Sequence, residues 1–429
     1  MKIKTIVFFA AIVGALLFLS GCGEPYVPLV FRAEYTLRDL DITHRASADA
    51  EAVPMRLKIE VPNHELARHE PAEGTFFGAY IVRDRAIRGV RDFEARTGAN
   101  HAIFAYTMTL GEDYPLRWVL ENMAAGKAPF IMLTAWEDLC FGEQSRLLFE
   151  NLRDFAVEAG RFNVPIFVNL FPLEGDHGFS PGEYISFFRA ARGVFEFYAP
   201  NVALVWGFDA ENMADSVIFY PGRDAMDWIH LTVYNDINGG GDFRDFFAYL
   251  DFFYLLYQQE RPLAVSTGIS HYSAQSNAYF TLQAAERITY VFERLQDYPR
   301  IKAILYRNYD DPAGSGNKFG VHDIEVIARA YEQAAANPRF IGFVDNLQGQ
   351  RRANQIMRSP FNAMMVGAYF YIPLRALVYD ARLPDAYLER LRGSEREING
   401  EVFFSMADIN RITGADVFVD FGRQMLRLR

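Results

Sequence analysis

The stretch Pro165-Ile166-Phe167-Val168-Asn169-Leu170-Phe171 is an apolar run of strand length, and Ser180-Pro181 soon opens a helix-patterned segment. Between residues 183 and 197, Tyr184, Phe187, Phe188, Ala191, Val194 and Phe195 share one face, with Arg189, Arg192 and Glu196 near the other. That is the 3.6-residue period of an amphipathic helix, with serine as N-cap and proline in the first turn. This strand–helix pair is the fourth of eight. The other strands read 76–81, 102–108, 129–136, 202–208, 228–234, 263–267 and 301–306. Near-continuous apolar runs suit parallel strands covered on both faces, and strict alternation excludes a sandwich or a bundle. The pattern predicts an α/β fold, a (β/α)8 TIM barrel over residues 71–340 rather than a doubly wound open sheet. Such a barrel carries its chemistry where the strands end.

The flanks set compartment and partners. Lys2 and Lys4 precede an apolar run over 6–19, too short to span a bilayer once cleaved. Leu19-Ser20-Gly21-Cys22 resembles the bacterial lipoprotein box. That resemblance implies a signal peptide over 1–21 and a diacylglycerol on Cys22, an extracytoplasmic protein lipid-anchored to the bacterial cell membrane. Cys140 is the only other cysteine, so no internal disulfide forms if Cys22 is lipidated, and a chain of 429 residues, 51% apolar, builds its own core. A net charge of −11 argues against nucleic acid and anionic lipid as partners. Residues 22–70 read as a tether with an edge strand. Met55, Leu57, Ile59 and Val61 alternate there with Arg56, Lys58 and Glu60, between Pro54 and Pro62.

Past Asn337-Pro338 the alternation stops, and residues 340–360 are polar. A small α+β unit follows over 362–429, with Tyr371-Ile372-Pro373, Ile398-Asn399-Gly400-Glu401-Val402-Phe403 and Thr413-Gly414-Ala415-Asp416-Val417. It resembles the copper amine oxidase N-terminal-like domain of secreted and wall-associated bacterial proteins. Copper is not expected, because no histidine lies beyond His322.

Within the barrel, Phe76-Phe77-Gly78-Ala79-Tyr80, Val205-Trp206-Gly207-Phe208 and Tyr220-Pro221-Gly222-Arg223-Asp224 followed by Asp227-Trp228-Ile229 go further than the fold. With residues 165–177, they resemble family 26 glycoside hydrolases, the β-mannanase barrels, over about residues 75–340. The resemblance implies a β-linked polysaccharide such as mannan as partner, no cofactor and no metal. It makes Glu174 the acid/base, with Asp176 in the place of a sugar-binding Asn and Phe179 as a neighbouring aromatic. Retaining glycosidases need a second carboxylate roughly 5 Å away, at the end of the seventh strand. There the chain reads Pro262-Leu263-Ala264-Val265-Ser266-Thr267-Gly268, offering only hydroxyls, with no neighbour evidently placed to activate them. Glu137, Asp209, Glu211, Asp236 and Asp310 are candidates for a recruited carboxylate. Trp136, Trp206, Tyr234 and Tyr306 at strand ends are candidate sugar platforms. His177, His230 and His271 show no metal-triad spacing, and Gly239-Gly240-Gly241 reads as a loop rather than a phosphate cradle. Two functions remain: a glycosidase with altered machinery, or a carbohydrate-binding lipoprotein that has lost catalysis.

Overall fold

Eight parallel strands close on themselves. In a computed structural model, residues 52–81, 87–136, 145–175, 178–309, 316–345, 351–421 and 425–428 are described, all within one compact unit. In chain order they form β1 (Ala52–Leu66), β2 (Thr75–Ile81), α1 (Val90–Thr97), β3 (Ile103–Thr109), α2 (Leu116–Ala124), β4 (Ala128–Thr134), α3 (Ser145–Gly160) and β5 (Ile166–Leu170). Then come α4 (Pro181–Tyr198), β6 (Val202–Asp209), β7 (Trp228–Thr232), α5 (Phe246–Tyr257), β8 (Leu263–Thr267), the short hairpin β9 (Tyr272–Ser273) and β10 (Ala278–Tyr279), and α6 (Thr281–Arg294). β11 (Ile301–Asn308), α7 (Glu325–Ala335) and β12 (Phe340–Ile341) complete the barrel.

The ring runs β2-β3-β4-β5-β6-β7-β8-β11, and β11 pairs parallel with β2, Ala303 opposite Phe76 through Asn308 opposite Ile81. The expected TIM barrel is therefore closed, with strand ends shifted by no more than two residues from the sequence reading. Two apolar layers hold it. Phe76, Phe130, Phe167, Trp228 and Leu305 fill the interior. Phe77, Phe104, Trp206, Phe208 and Ile304 face outward against helix residues such as Phe93, Phe188 and Tyr254. The barrel is a packed core, not a pore.

Its N-terminal end is plugged by residues 67–72. Arg68 donates to the Val202 carbonyl, and Trp228 Nε1 donates to that of Arg68. His69 Nε2 lies 2.7 Å from the Asn201 carbonyl. Lys302 donates to Ala72, and burial pulls its pKa down to about 7. Arg300 and Glu70 form an ion pair without exposed surface.

The remaining strands, β13 (Arg351–Val366), β14 (Tyr369–Pro373), β15 (Glu395–Ile398), β16 (Glu401–Ser405), β17 (Val417–Asp420) and β18 (Met425–Leu428), join β1 in a seven-stranded sheet. Helices α8 (Asp385–Leu391) and α9 (Met406–Thr413) pack with it, α9 capped by Ser405 at its start and Gly414 in the left-handed region at its end. This corrects two expectations. The N-terminal strand is not an edge: β1 pairs with β13 on one side and, over Arg56–Ile59, with β18 on the other. Its prolines fit because Pro54 lies beyond the β18 pairing and Pro62 falls at the bulge between Val61 and His64. The second sheet also starts at Arg351, inside the stretch read as a polar connector, and takes in β1.

Removing one partner of a fully buried ion pair strands the other charge. Glu70→Ala should therefore cost about 3–5 kcal/mol, measured by urea unfolding. A Glu70→Leu/Arg300→Met double variant should recover most of that loss. Equal destabilisation by single and double variants would show that the pair itself is not what holds the plug.

Candidate functional site

Side chains alternate between barrel interior and helix layer along every strand. The interior set climbs from Trp228 to His230 and Thr232 on β7, from Ala264 to Ser266 on β8, and from Leu305 to Arg307 on β11. At the mouth this alternation gathers Tyr80, Thr107, Met132, Thr232 and Arg307 from five strands.

Glu174 arrives from a kink after β5. Phe171 sits in the left-handed region at φ 47°, costly for a bulky residue. It is held by a backbone bond to Leu133 (2.8 Å) and by stacking on Phe187 at 5.0 Å. The chain then re-joins β6, Leu173 bonding to Gly207 (2.9 Å) and Asp209 to Leu173 (3.0 Å). The Glu174 side chain is 35% exposed. Its Oε1 accepts from Thr232 Oγ1 at 2.9 Å, with Arg307 Nη2 3.7 Å away.

Arg307 is the positive centre of the mouth. Its guanidinium carbon lies 5.0 Å from the Tyr80 ring centroid and 5.5 Å from that of Tyr234. Nη1 donates to the Tyr234 hydroxyl, and Nη2 lies 3.3 Å from Met132 Sδ. Burial works against its charge, but Tyr234 and Glu174 outweigh that and hold it protonated. Burial pushes the Tyr234 phenol up to about 12, opposed by Arg307. Tyr80 Oη pairs with Thr107 Oγ1 at 2.7 Å.

One layer below sit Asn169, His230 and Ser266. Asn169 Nδ2 lies 3.1 Å from His230 Nδ1, and His230 Nε2 lies 2.7 Å from Ser266 Oγ. Gly207 makes room, since a Cβ there would come within 2.5 Å of the Asn169 amide. Ser266 thus has a histidine neighbour, yet this histidine is no activating base. With the amide donating to Nδ1, the ring proton sits on Nε2 and points at serine. Burial, aided by Arg307, also lowers the His230 pKa to about 3, too weak a base to deprotonate an alcohol. Thr267 has the opposite parity and accepts from Asn235 at 3.1 Å in the helix layer.

The other candidates separate sharply. Asp209 spends Oδ1 on the amides of Glu211 (3.0 Å) and Asn212 (2.8 Å), and Oδ2 on that of Gly175 (2.9 Å). It braces the Glu174 loop instead of facing a substrate. Glu211 is exposed beyond β6. Asp236 accepts from Asn317 at 3.3 Å, and burial raises its pKa. Trp206 and Tyr306 are not platforms: both are fully buried on the helix side, Trp206 against Tyr220 and Tyr257, Tyr306 against Tyr331. Trp136 is half-buried against the same layer, and Phe179 stacks on Phe171 and Tyr184. His271 is buried, its amide bonded to Lys318. Glu137, Cys140, Asp176, His177, Asp310 and Cys22 lie outside the described residues. No cluster of three metal-ligating side chains occurs among the described residues. Sequence reasoning missed Arg307, Tyr80 and Thr232. The available signal was a charged residue closing the apolar run over 301–306, two positions after Leu305.

Solved glycosidase barrels share this fold. A family 26 β-mannanase from Bacteroides ovatus aligns with TM-score 0.50 at 15% identity, covering 65% of this chain and 94% of its own. A family 26 structure from Muricauda aligns at TM-score 0.44 and 13% identity, over 63% of this chain and 87% of its own. A family 113 β-1,4-mannanase aligns at 0.43 and 14%, over 61% and 99%. No family model matches the chain, and no curated protein does.

Four histidines make the fold acid-sensitive, among them His101, whose pKa burial also lowers. Burial holds His64 and His69 near pKa about 4 and His230 near about 3, all below the ordinary 6.5. Between pH 6.5 and 4 the unfolded chain therefore binds more protons than the folded one, so stability is full above that window and falls as pH drops through it. Urea titrations from pH 7 to 5 should lose stability by roughly 1 kcal/mol per pH unit for each such histidine once below 6.5. Ring NMR should find His230 neutral throughout; titration of its ring near 6.5 would contradict the buried Asn169–His230–Ser266 arrangement.

Proposed function

We propose that this chain is a lipid-anchored, extracytoplasmic, glycoside-hydrolase-like protein that holds a β-linked polysaccharide such as mannan across the barrel mouth, with Glu174 facing the glycosidic oxygen. The observation that carries the reading is the pairing of a half-buried Glu174 with Thr232 and Arg307 at the strand ends. The β8 position that a double-displacement nucleophile would take holds Ser266, buried beside His230. Glycoside cleavage passes through an oxocarbenium-like transition state. A buried guanidinium beside that centre opposes the developing positive charge. Binding without retaining hydrolysis is therefore the function this geometry supports best.

A second reading, hydrolysis with Glu174 as proton donor to an inverting route, is favoured by the open position of its carboxyl. The water-activating carboxylate would then be Glu137 or Glu211, since Asp209 is committed to backbone amides. We read the unit over residues 362–429, on its sequence resemblance to a copper amine oxidase N-terminal-like domain, as a wall-associated appendage in either case.

Purified protein offered a polysaccharide panel, followed by both binding and reducing-end release, separates the readings. Binding of β-mannan without new reducing ends is the expected result. Hydrolysis by the native protein that disappears in Glu174→Gln would establish the second reading instead, and neither binding nor cleavage of any glycan would end both. Ser266→Glu, which points a carboxylate into the barrel, should release reducing ends from mannan where the native protein releases none. Thr267→Glu, facing the helices, should not. Cys22→Ala should release the protein from membranes into the soluble extracytoplasmic fraction; a variant that stays membrane-bound after signal cleavage would refute lipid anchoring.

A further inference from the structure

We infer that the barrel mouth reads a carboxylate on its glycan, a uronate-type sugar, and that Arg307 is the residue that reads it. This rests on the saccharide-binding reading above and names the substrate class of the same site. Arg307 is 7% exposed, yet its hydrogen bonds go to weak or neutral acceptors, a phenol and a thioether. Among the described residues its Nε has no hydrogen-bond partner. Among the described residues the carboxylate that faces it is that of Glu174, at 3.7 Å, an electrostatic neighbour beyond hydrogen-bond reach. A buried guanidinium so incompletely paired is costly unless a further acceptor arrives.

The shape of the group specifies that acceptor. The rings of Tyr80 and Tyr234 lie close about the guanidinium, whose carbon is 5.0 and 5.5 Å from their centroids. A planar fork matches the two oxygens of a carboxylate. A neutral polymer offers only hydroxyls, which do much less for a buried cation. Displacing the Met132 thioether from Nη2 exchanges a weak acceptor for a charged one. Thr107, exposed beside Tyr80, supplies a neutral hydroxyl to the same sugar. Glu174 opposes a second negative charge, so its carboxylate limits the affinity for an acidic sugar.

Calorimetry on the detergent-solubilised mature chain tests this with three hexasaccharides: β-1,4-mannose, β-1,4-mannuronate and a sulfated galactan. The mannuronate should bind about 10- to 100-fold more tightly than the neutral hexamer, the range for adding a hydrogen bond to a charged group. Arg307→Met should reduce the mannuronate-to-mannose affinity ratio at least ~10-fold, and Glu174→Gln should raise it. If Arg307→Met does not fold, the native ratio and Arg307→Lys, which keeps charge but loses the fork, decide the matter. Equal or tighter binding of neutral mannohexaose overturns the inference while leaving the saccharide site standing. Preference for the sulfated oligomer overturns the carboxylate assignment, and binding of none of the three ends both this inference and the reading it rests on.

Discussion

Across the seam that closes the barrel, Arg307 of β11 stands opposite Tyr80 of β2. That register puts both side chains inside the ring at one height, which is how a cation comes to lie over an aromatic face at the mouth. Neighbouring registers follow: Leu305 opposite Ser266, Ser266 opposite Thr232, Thr232 opposite Asp209. A slip of one residue at the seam would turn Arg307 toward the helices and Tyr306 into the barrel, exchanging the site's cation for a core ring. Closure is thus the constraint from which the polar cluster derives.

The cluster is arranged by support rather than by abundance of charge. Glu174 is brought over the mouth by the Phe171 kink and kept there by Asp209, whose Oδ2 holds the amide of Gly175. Arg307 is kept by two aromatic rings. Beneath them, Asn169, His230 and Ser266 are hydrogen-bonded to one another and carry no net charge, so the floor is polar but electrically quiet. The retained carboxylate and the buried cation therefore dominate the field that a bound sugar would meet.

Much of this fold was legible in the sequence, because eight apolar runs separated by helix-period segments have few packing solutions. Glu174 was legible too, since the carboxylate follows a strand end directly. The faces were not. In a parallel strand covered on both sides, inward and outward positions are equally apolar, so Val205-Trp206-Gly207 does not announce that tryptophan packs against Tyr257 while glycine yields to Asn169. For the same reason Ser266 and Thr267 looked equivalent, although only one enters the barrel. The pairing of β1 with β13 and β18 was hidden because its partners lie some 300 and 370 residues later, beyond the reach of local periodicity.

The two ends of the barrel divide stability from function. The N-terminal end is covered by the 67–72 plug, which continues directly from β1 and brings Glu70 to Arg300. The sheet built from both flanks of the barrel is tied to it by Arg56 with Asp297 and Arg358 with Asp251. Every strong ion pair of that junction lies away from the mouth. A barrel secured in this way tolerates, at its open end, a left-handed phenylalanine and a guanidinium short of acceptors, features that a marginal fold would eliminate. Backbone strain occurs at both ends, at His69 in the plug and at Phe171 above β5, but at the mouth it carries the chain to the Glu174–Arg307 cluster, whereas in the plug it serves packing alone.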